Sequence, residues 1–238
     1  SKSTTMEKIQ KSHYKATVNR IGKEKIVLAV QDTTTLNYST HPATADLGLI
    51  GSKAGGLVGL IVHDTMTFNV EGTPLGVIDV QCWARDPEDF GKKHLRHKLR
   101  IEQKESNKWL KSFHVATEVQ RRCPETTVVS VGDREADIYE LFHLALSKAE
   151  NPKLLVRAEH NRLLVDGQGH LYEYLQRKEV SGVQTVRVPR KQGRPAREAK
   201  LEVRFTEVTL RPPQGKEELG ELSIWAVYVR ETEVPDGV

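Results

Sequence analysis

The chain has little cysteine, no long apolar run and no apolar leader. Cys82 and Cys123 are the only cysteines among 238 residues, and no Cys-x-x-Cys pair occurs. Neither a zinc ribbon nor a disulfide framework is therefore predicted. No apolar run approaches the ~20 residues that a membrane helix needs, and residues 1–8 lack the apolar core of a signal peptide. Because isolated thiols are typical of a reducing compartment, we expect a cytoplasmic protein with no membrane partner.

Two other kinds of site are absent or weakly supported. The glycine-rich segment 48–56 is not a phosphate-binding loop, because no Gly-Lys-Ser/Thr follows at the required distance. His94 and His97 have a spacing that would suit a metal, but no cysteine or acid completes the set. We interpret the first segment as a loop or hairpin, and the two histidines as part of a charged surface loop.

Charge is abundant and unevenly distributed. The formal net charge of +4 is by itself a weak indication of nucleic-acid binding. Residues 91–100 carry five Lys/Arg and no acid, and residues 187–204 carry seven Lys/Arg against Glu198 and Glu202. Such clusters are candidate phosphate contacts. A solvated loop explains them equally well, so charge alone leaves the partner open.

Strand and helix patterns alternate up to about residue 160. Helical patterns occupy residues 104–122 and 134–148. Short connections predict antiparallel pairing among the first three strands, and helical crossovers predict parallel pairing afterwards. We therefore expect an α/β domain over 25–160, with a mixed central sheet and flanking helices. The strand patterns fall at 25–31, 57–66, 75–83, 127–132 and 153–158.

The segments on either side of this domain have a different texture. Residues 1–24 are polar and poorly patterned, which predicts a flexible lead-in. Short alternating runs after residue 160 predict a mostly β subdomain over 161–238. Asp236-Gly237 is a strong hairpin-turn signal followed by one residue, so we expect this subdomain to be incomplete and the natural protein to continue.

Two aspartates follow predicted strands. Asp32 follows the apolar run 27–31, and Asp133 follows the run 128–132. An acid in this position lies at the carboxyl edge of a sheet, where ligands bind. Facing carboxylates hold hard divalent cations through oxygen. The pair therefore predicts a Mg²⁺ or Mn²⁺ site, the minimum equipment of two-metal phosphoryl transfer.

Each aspartate also has a purely structural interpretation. Asp32 could cap a turn through Thr33 and Thr34, and Asp133 could be the N-cap of the 134–148 helix. The predicted strand order is that of an RNase H-like sheet, in which the first and fourth strands are neighbours. That order favours the metal site, because it brings the two acids together.

Residues 31–38 around Asp32 and residues 132–138 around Asp133 are motifs that resemble those of bacterial DDE transposases, specifically the insertion-sequence branch that includes the Tn-five-type cut-and-paste enzyme. Residues 31–38 are similar to its first catalytic motif, and Gly-Asp-Arg-Glu-Ala-Asp-Ile at 132–138 is similar to its second. The motifs occur in the same order from Ile26 to the end of the chain. Further similar segments are a helix start at 104–110, the next strand at 154–160, and Arg-Pro-Ala-Arg at 194–197, which has a counterpart in an inserted β-rich domain.

The resemblance implies an RNase H-like catalytic core with an inserted β-rich subdomain. It implies DNA strand nicking and strand transfer with Mg²⁺ or Mn²⁺ held by Asp32 and Asp133. In the family, a third acid lies in a Tyr-Arg-Glu-Lys-Lys signature after the insertion, and this sequence has no such signature. We therefore expect this chain alone to be inactive. The implied partners are double-stranded DNA at transposon ends and, in the full-length protein, a second copy in a homodimer within the bacterial nucleoid.

The resemblance also favours DNA contacts by basic side chains. Arg157, near the end of the fifth predicted strand, could contact a phosphate or form a surface ion pair with Glu159 or another acid. The further candidates for DNA binding are Arg190, Lys191, Arg194 and Arg197.

The three tryptophans, Trp83, Trp109 and Trp225, are predicted to be core residues.

Two alternative functions stay open. One is a domesticated or inactive relative that binds DNA without cutting it. The other is a metal-dependent nuclease of the same fold that never joins strands.

Overall fold

The computed structural model describes residues 4–41, 43–51, 55–86, 99–190 and 194–233. The chain divides into two compact units, Ser1–Glu159 and His160–Val238, close to the domain boundary predicted from the sequence. Several features singled out in the sequence lie outside the described residues: His94, His97, Lys191, most of the basic segment 91–100, and the turn at Asp236-Gly237.

The first unit contains three helices and six strands among its described residues. The helices are α1 (Met6–Ile21), α2 (Asn107–Arg122) and α3 (Tyr139–Leu146), and two short 3₁₀ turns occupy Ile101–Gln103 and Arg134–Ala136. The strands are β1 (Ile26–Asn37), β2 (Gly48–Leu49), β3 (Val58–Asn69), β4 (Pro74–Trp83), β5 (Thr127–Gly132) and β6 (Lys153–Val156).

These strands form one mixed sheet. β1 pairs antiparallel with β3 and parallel with β5, and β5 pairs parallel with β6. β2 and β4 both pair antiparallel with β3. The sheet confirms the predicted α/β class and the predicted adjacency of the first and fourth main strands, β1 and β5. Its strand order is compatible with an RNase H-like fold.

One face of the sheet packs against the helices. Alternate residues of β1 and β5 are buried, among them Val27, Ala29 and Val128, and they pack with Ile21 of α1 and Ala116 of α2. The period of two follows from strand geometry, which sends successive side chains to opposite faces.

A second apolar cluster joins α2 and α3. Trp109 and Phe113 of α2 pack with Ala136 and Leu141, and all four residues are buried. Partly buried apolar residues of β6, Leu154 and Val156, complete the cluster. This cluster lies next to Gly132, the last residue of β5, since a Cβ added there would lie 3.2 Å from Cζ3 of Trp109.

The prediction of a flexible lead-in over 1–24 is wrong, because α1 occupies most of that segment. Thr5 is its N-cap and accepts a hydrogen bond from the backbone N–H of Lys8 at 3.3 Å. Thr17 and Ile21 are the buried positions, at 1% and 0% exposure. A helix held by so few apolar contacts shows little periodicity in the sequence, and its docking on the sheet stabilises it.

The second unit is mostly β, as predicted. It contains helix α4 (Leu171–Gln176) and strands β7 (Gly182–Val188), β8 (Arg197–Leu210) and β9 (Leu222–Glu231). The strands form an antiparallel sheet in the order β7-β8-β9. Trp225 is 67% exposed next to the buried Ala226, so its prediction as a core residue is wrong. It lies on the outer face of β9, beside Phe205.

The described residues include no helix that combines the length and apolarity needed to cross a membrane.

Candidate active site

Asp32 lies where β1 extends beyond its parallel neighbour. The last parallel pair is Val30 with Val131, and Asp32 follows two residues later. β1 does not end at Gln31 as predicted, because residues Thr33–Asn37 continue to pair with β3. The interpretation of Asp32 as a turn cap is therefore wrong. Its Oδ1 instead accepts a hydrogen bond from the backbone N–H of Thr33 at 2.7 Å.

Asp133 occupies the equivalent place directly after β5, two residues after Val131. Its Oδ1 accepts a hydrogen bond from the backbone N–H of Glu135 at 2.9 Å, so it caps the 3₁₀ turn Arg134–Ala136. The helix predicted over 134–148 is in fact this turn followed by α3, with Ile138 extended between them. Asp133 therefore caps this turn and is also exposed at the carboxyl edge of the sheet.

The chemistry of this edge suits a hard cation, but its ligand set is partial. Both aspartates are exposed, and among the described residues Oδ2 of neither accepts a hydrogen bond. Mg²⁺ requires near-octahedral oxygen coordination, with about six ligands. In the part of the chain that the structure describes, no group of three or more His, Cys, Asp or Glu residues could hold a metal. Asp32 and Asp133 thus fit part of a Mg²⁺ or Mn²⁺ site.

Asp64 is an acid near this edge that the sequence reasoning missed. It lies on β3 directly opposite Asp32, so both side chains leave the same face of the sheet. Burial, and secondly the negative charge of Asp32, raise the pKa of Asp64. The available signal was the acid Asp64, directly after the apolar run 60–62 and His63.

Two acids that closely follow Asp133 are engaged elsewhere. Glu135 Oε2 accepts a hydrogen bond from Nζ of Lys108 at 3.0 Å. Asp137 is 5% exposed, and its Oδ2 accepts a hydrogen bond from the backbone N–H of Glu159 at 2.8 Å. Both carboxylates therefore have protein partners of their own.

A buried imidazole lies beneath the same edge, on the helix-covered face. His63 is fully buried, and its ring meets that of Trp109 edge to face at a centroid distance of 4.7 Å. Burial, helped by the positive charge of Lys108, lowers the pKa of His63 from 6.5 to about 4, although the charges of Asp32 and Glu135 act in the opposite direction. The imidazole is therefore neutral at physiological pH.

Gly132 is required where β5 meets this buried layer. A Cβ at this position would overlap Cβ of Ala136 and lie 3.2 Å from Cζ3 of Trp109. Its carbonyl accepts a hydrogen bond from the backbone N–H of Arg157 at 3.1 Å. Gly132 thus lets Ala136 and the indole of Trp109 pack closely against the end of β5.

Replacing Gly132 by alanine should destabilise the first unit by roughly 1–3 kcal/mol, because the extra methyl group forces the packed layer apart. Denaturant unfolding followed by circular dichroism measures the effect. Gly22→Ala is the control, since Gly22 has φ −64° and its added Cβ would meet no atom closer than 3.5 Å. Equal stability of the two variants would contradict the steric requirement at Gly132.

Arg157 lies beside Asp133 at the sheet edge. It directly follows β6, its side chain is exposed, and its backbone binds Gly132. Its predicted alternative partner, Glu159, instead faces Arg134 at 3.6 Å. Within the described residues Arg157 forms no salt bridge, so its charge is available to an external phosphate.

The basic candidates of the second unit divide into two groups. Arg190 and Arg194 are exposed in the connection between β7 and β8. Arg197 forms a two-point ion pair with Glu231, with Nη2 to Oε2 at 3.0 Å, and this contact raises the pKa of Arg197. Arg204 pairs with Glu202 at 2.9 Å. Arg197 therefore has an internal partner, whereas Arg190 is exposed in the connection.

No protein-family model matches the chain.

Proposed function

We propose that this chain carries part of the catalytic core of a bacterial DDE transposase, acting in DNA strand nicking and strand transfer. One observation carries the proposal: the parallel pairing of β1 with β5 gives Asp32 and Asp133 equivalent positions at one sheet edge. Arg157 lies at the same edge, one strand further along. Two carboxylates and a guanidinium are among the groups that metal-assisted phosphoryl transfer on DNA uses.

Each residue has a distinct part in this proposal. Asp32 and Asp133 hold Mg²⁺ or Mn²⁺ through carboxylate oxygen. When bound, the metal would lower the pKa of an attacking hydroxyl and stabilise the leaving oxygen. Arg157 contacts a phosphate of the DNA backbone, which fixes the register of the scissile bond. The chain thus supplies alignment and charge, and no covalent bond to the protein is needed.

The proposed partner is double-stranded DNA, in particular transposon ends, and the proposed location is the cytoplasm, at the bacterial nucleoid. The exposed Arg190 and Arg194 supply sequence-independent phosphate contacts. A homodimer of the full-length protein is part of the same proposal.

Mn²⁺ should bind the chain weakly, at Asp32 and Asp133. Paramagnetic broadening of amide resonances detects weak binding by position, and we expect it to be centred on residues 31–33 and 132–134. Asp32→Asn or Asp133→Asn should weaken binding at least tenfold, because each replaces a charged ligand of a partial site. Glu125→Gln, an exposed carboxylate before the opposite end of β5, is the matched control. Broadening that is unchanged in both aspartate variants would refute the proposed site.

DNA affinity should depend on salt, and part of that dependence should come from the exposed arginines. Arg157→Ala combined with Arg190→Ala should reduce the slope of log affinity against log salt by roughly 1–2, since each duplex phosphate contact contributes about 0.9. Arg121→Ala combined with Arg122→Ala is the charge-matched control, because it also removes two positive charges and both residues are exposed in the last turn of α2. A slope equal to that of the unmodified chain would show that Arg157 and Arg190 are merely solvated.

A further inference from the structure

Asp32 is flanked by two residues that share one buried partner. Nδ1 of His63 lies 2.9 Å from Oγ1 of Thr33, and Nε2 of His63 lies 3.3 Å from Oε1 of Gln31. Gln31 in turn donates from Nε2 to Oγ of Ser130 at 2.8 Å. The imidazole of β3 therefore joins both neighbours of Asp32 on β1, and through Gln31 it reaches β5.

Because of strand geometry, the contacts of His63 with Gln31 and Thr33 determine the direction of the Asp32 side chain. Side chains at Gln31 and Thr33 leave the same face of β1, and the side chain between them leaves the opposite face. Holding both neighbours on the helix-covered face therefore fixes the direction in which Asp32 leaves the strand. The bond from Gln31 to Ser130 also ties β1 to β5 just before Asp133.

The bonding pattern assigns the imidazole tautomer. Since Nε2 of Gln31 donates to Ser130, the amide oxygen faces His63 and can only accept. Nε2 of the imidazole must then carry the hydrogen, and Nδ1 accepts from the hydroxyl of Thr33. Each polar atom in the chain from Thr33 to Ser130 thereby has a partner, as buried polar groups require.

We propose that His63 is a positioning residue, whose Nε2-protonated ring clamps Gln31 and Thr33 and thereby orients Asp32 relative to Asp133. The inference rests on the proposed function, because orientation of Asp32 matters only if that carboxylate holds the metal. His63 itself touches neither metal nor DNA. His63 acts indirectly, by fixing the geometry of the metal ligand Asp32, as residues that hydrogen-bond to metal-binding groups do in other proteins.

The test combines imidazole NMR with Mn²⁺ affinity. In ¹⁵N-labelled protein we expect the Nε2–H tautomer of His63. His63→Phe keeps a ring against Trp109 but removes both hydrogen bonds, so Mn²⁺ affinity should fall about tenfold, the lower end of the range for such partners. His63→Gln, which retains a donor and an acceptor, should restore affinity to within about threefold. Thr33→Val, which removes one bond with little change in volume, should weaken binding by an intermediate factor.

A matched control separates positioning from loss of stability. Thr126 is buried just before β5, and its hydroxyl bonds the carbonyls of Ile21 and Glu24 at the opposite end of the sheet. Thr126→Val should lower thermal stability without changing Mn²⁺ affinity. If Thr33→Val and a folded His63→Phe both bind Mn²⁺ as the unmodified chain does, or if His63 is the Nδ1–H tautomer, the inference is overturned while the metal site stands. If Asp32→Asn leaves Mn²⁺ binding unchanged, the proposed function fails first and the inference with it.

Discussion

Replacing Trp109 by alanine should lower the free energy of unfolding of the first unit by about 3–5 kcal/mol, the cost of emptying a large buried site. Its side chain is 1% exposed and packs against Phe113, Ala136 and Leu141. The indole also supports the ring of His63 and lies beneath Gly132. Its loss therefore empties the layer that underlies both candidate metal ligands.

The cost should come from packing rather than from a lost hydrogen bond. Among the described residues, Nε1 of Trp109 has no hydrogen-bond partner. Trp109→Phe should accordingly retain a large part of the stability, because it keeps an aromatic ring in the site. Chemical unfolding followed by circular dichroism suits all these variants, since tryptophan fluorescence changes with the substitution itself.

Trp225 provides the matched control. It is the same residue type, but it is 67% exposed on β9. Trp225→Ala should change stability by no more than about 0.5 kcal/mol, as is usual for surface positions. A large loss in Trp225→Ala, or a small one in Trp109→Ala, would contradict the assignment of the core.

The central sheet could be predicted because its strands have strong local signals. β-branched, apolar runs identify β1, β3 and β5, and the lengths of the connections decide which pairs are antiparallel or parallel. The strand order then places Asp32 and Asp133 side by side before any coordinates are known. Periodicity and connection lengths predicted the strands and their directions, whereas the adjacency of β1 and β5 was expected from the RNase H-like arrangement.

Features that depend on tertiary contact were not predictable in the same way. The extension of β1 past Asp32 depends on pairing of Thr33–Asn37 with β3, which local propensity does not encode. α1 carries a narrow buried stripe and is stabilised by docking. Asp64 and His63 lie close to Asp32 only because of the register of β1 against β3. Register is set by the whole sheet rather than by one segment.

Exposure of Trp225 was missed for a related reason. An alternating sequence pattern does not indicate which face of the strand is covered by other residues. In β9 the small residue Ala226 is buried while its large neighbour points outward. The size of a side chain is therefore a poor guide to burial in a three-stranded sheet with helix α4 on one face.

Acidification should destabilise the first unit between about pH 6.5 and pH 4, by up to roughly 3 kcal/mol from His63 alone. Burial, then the charge of Lys108, lowers the pKa of the folded-state imidazole to about 4. As the pH falls, the unfolded chain therefore binds a proton near pH 6.5, whereas the folded chain binds it only near pH 4. This stability is fully present above pH 6.5, is lost as pH falls towards 4, and does not change further below that value.

The pKa of Asp64 works in the opposite direction at the acidic end. Because its folded-state pKa is raised, the folded chain takes up that proton before the unfolded chain does, which favours the folded state as pH falls towards 3.8. The contribution of His63 must therefore be isolated by comparison with a variant.

His63→Gln removes the titrating group while keeping a donor and an acceptor for Gln31 and Thr33. Urea unfolding at a series of pH values should show a steeper loss of stability in the unmodified chain than in His63→Gln, between pH 6.5 and 4. His114→Gln, which removes an exposed histidine from α2, should follow the unmodified chain. Parallel curves for the unmodified chain and His63→Gln would mean that the imidazole is accessible to protons in the folded state. The buried, hydrogen-bonded clamp beneath Asp32 would then be wrong, because protonation of Nδ1 reverses its hydrogen bond with Oγ1 of Thr33 and places a charge in a buried site.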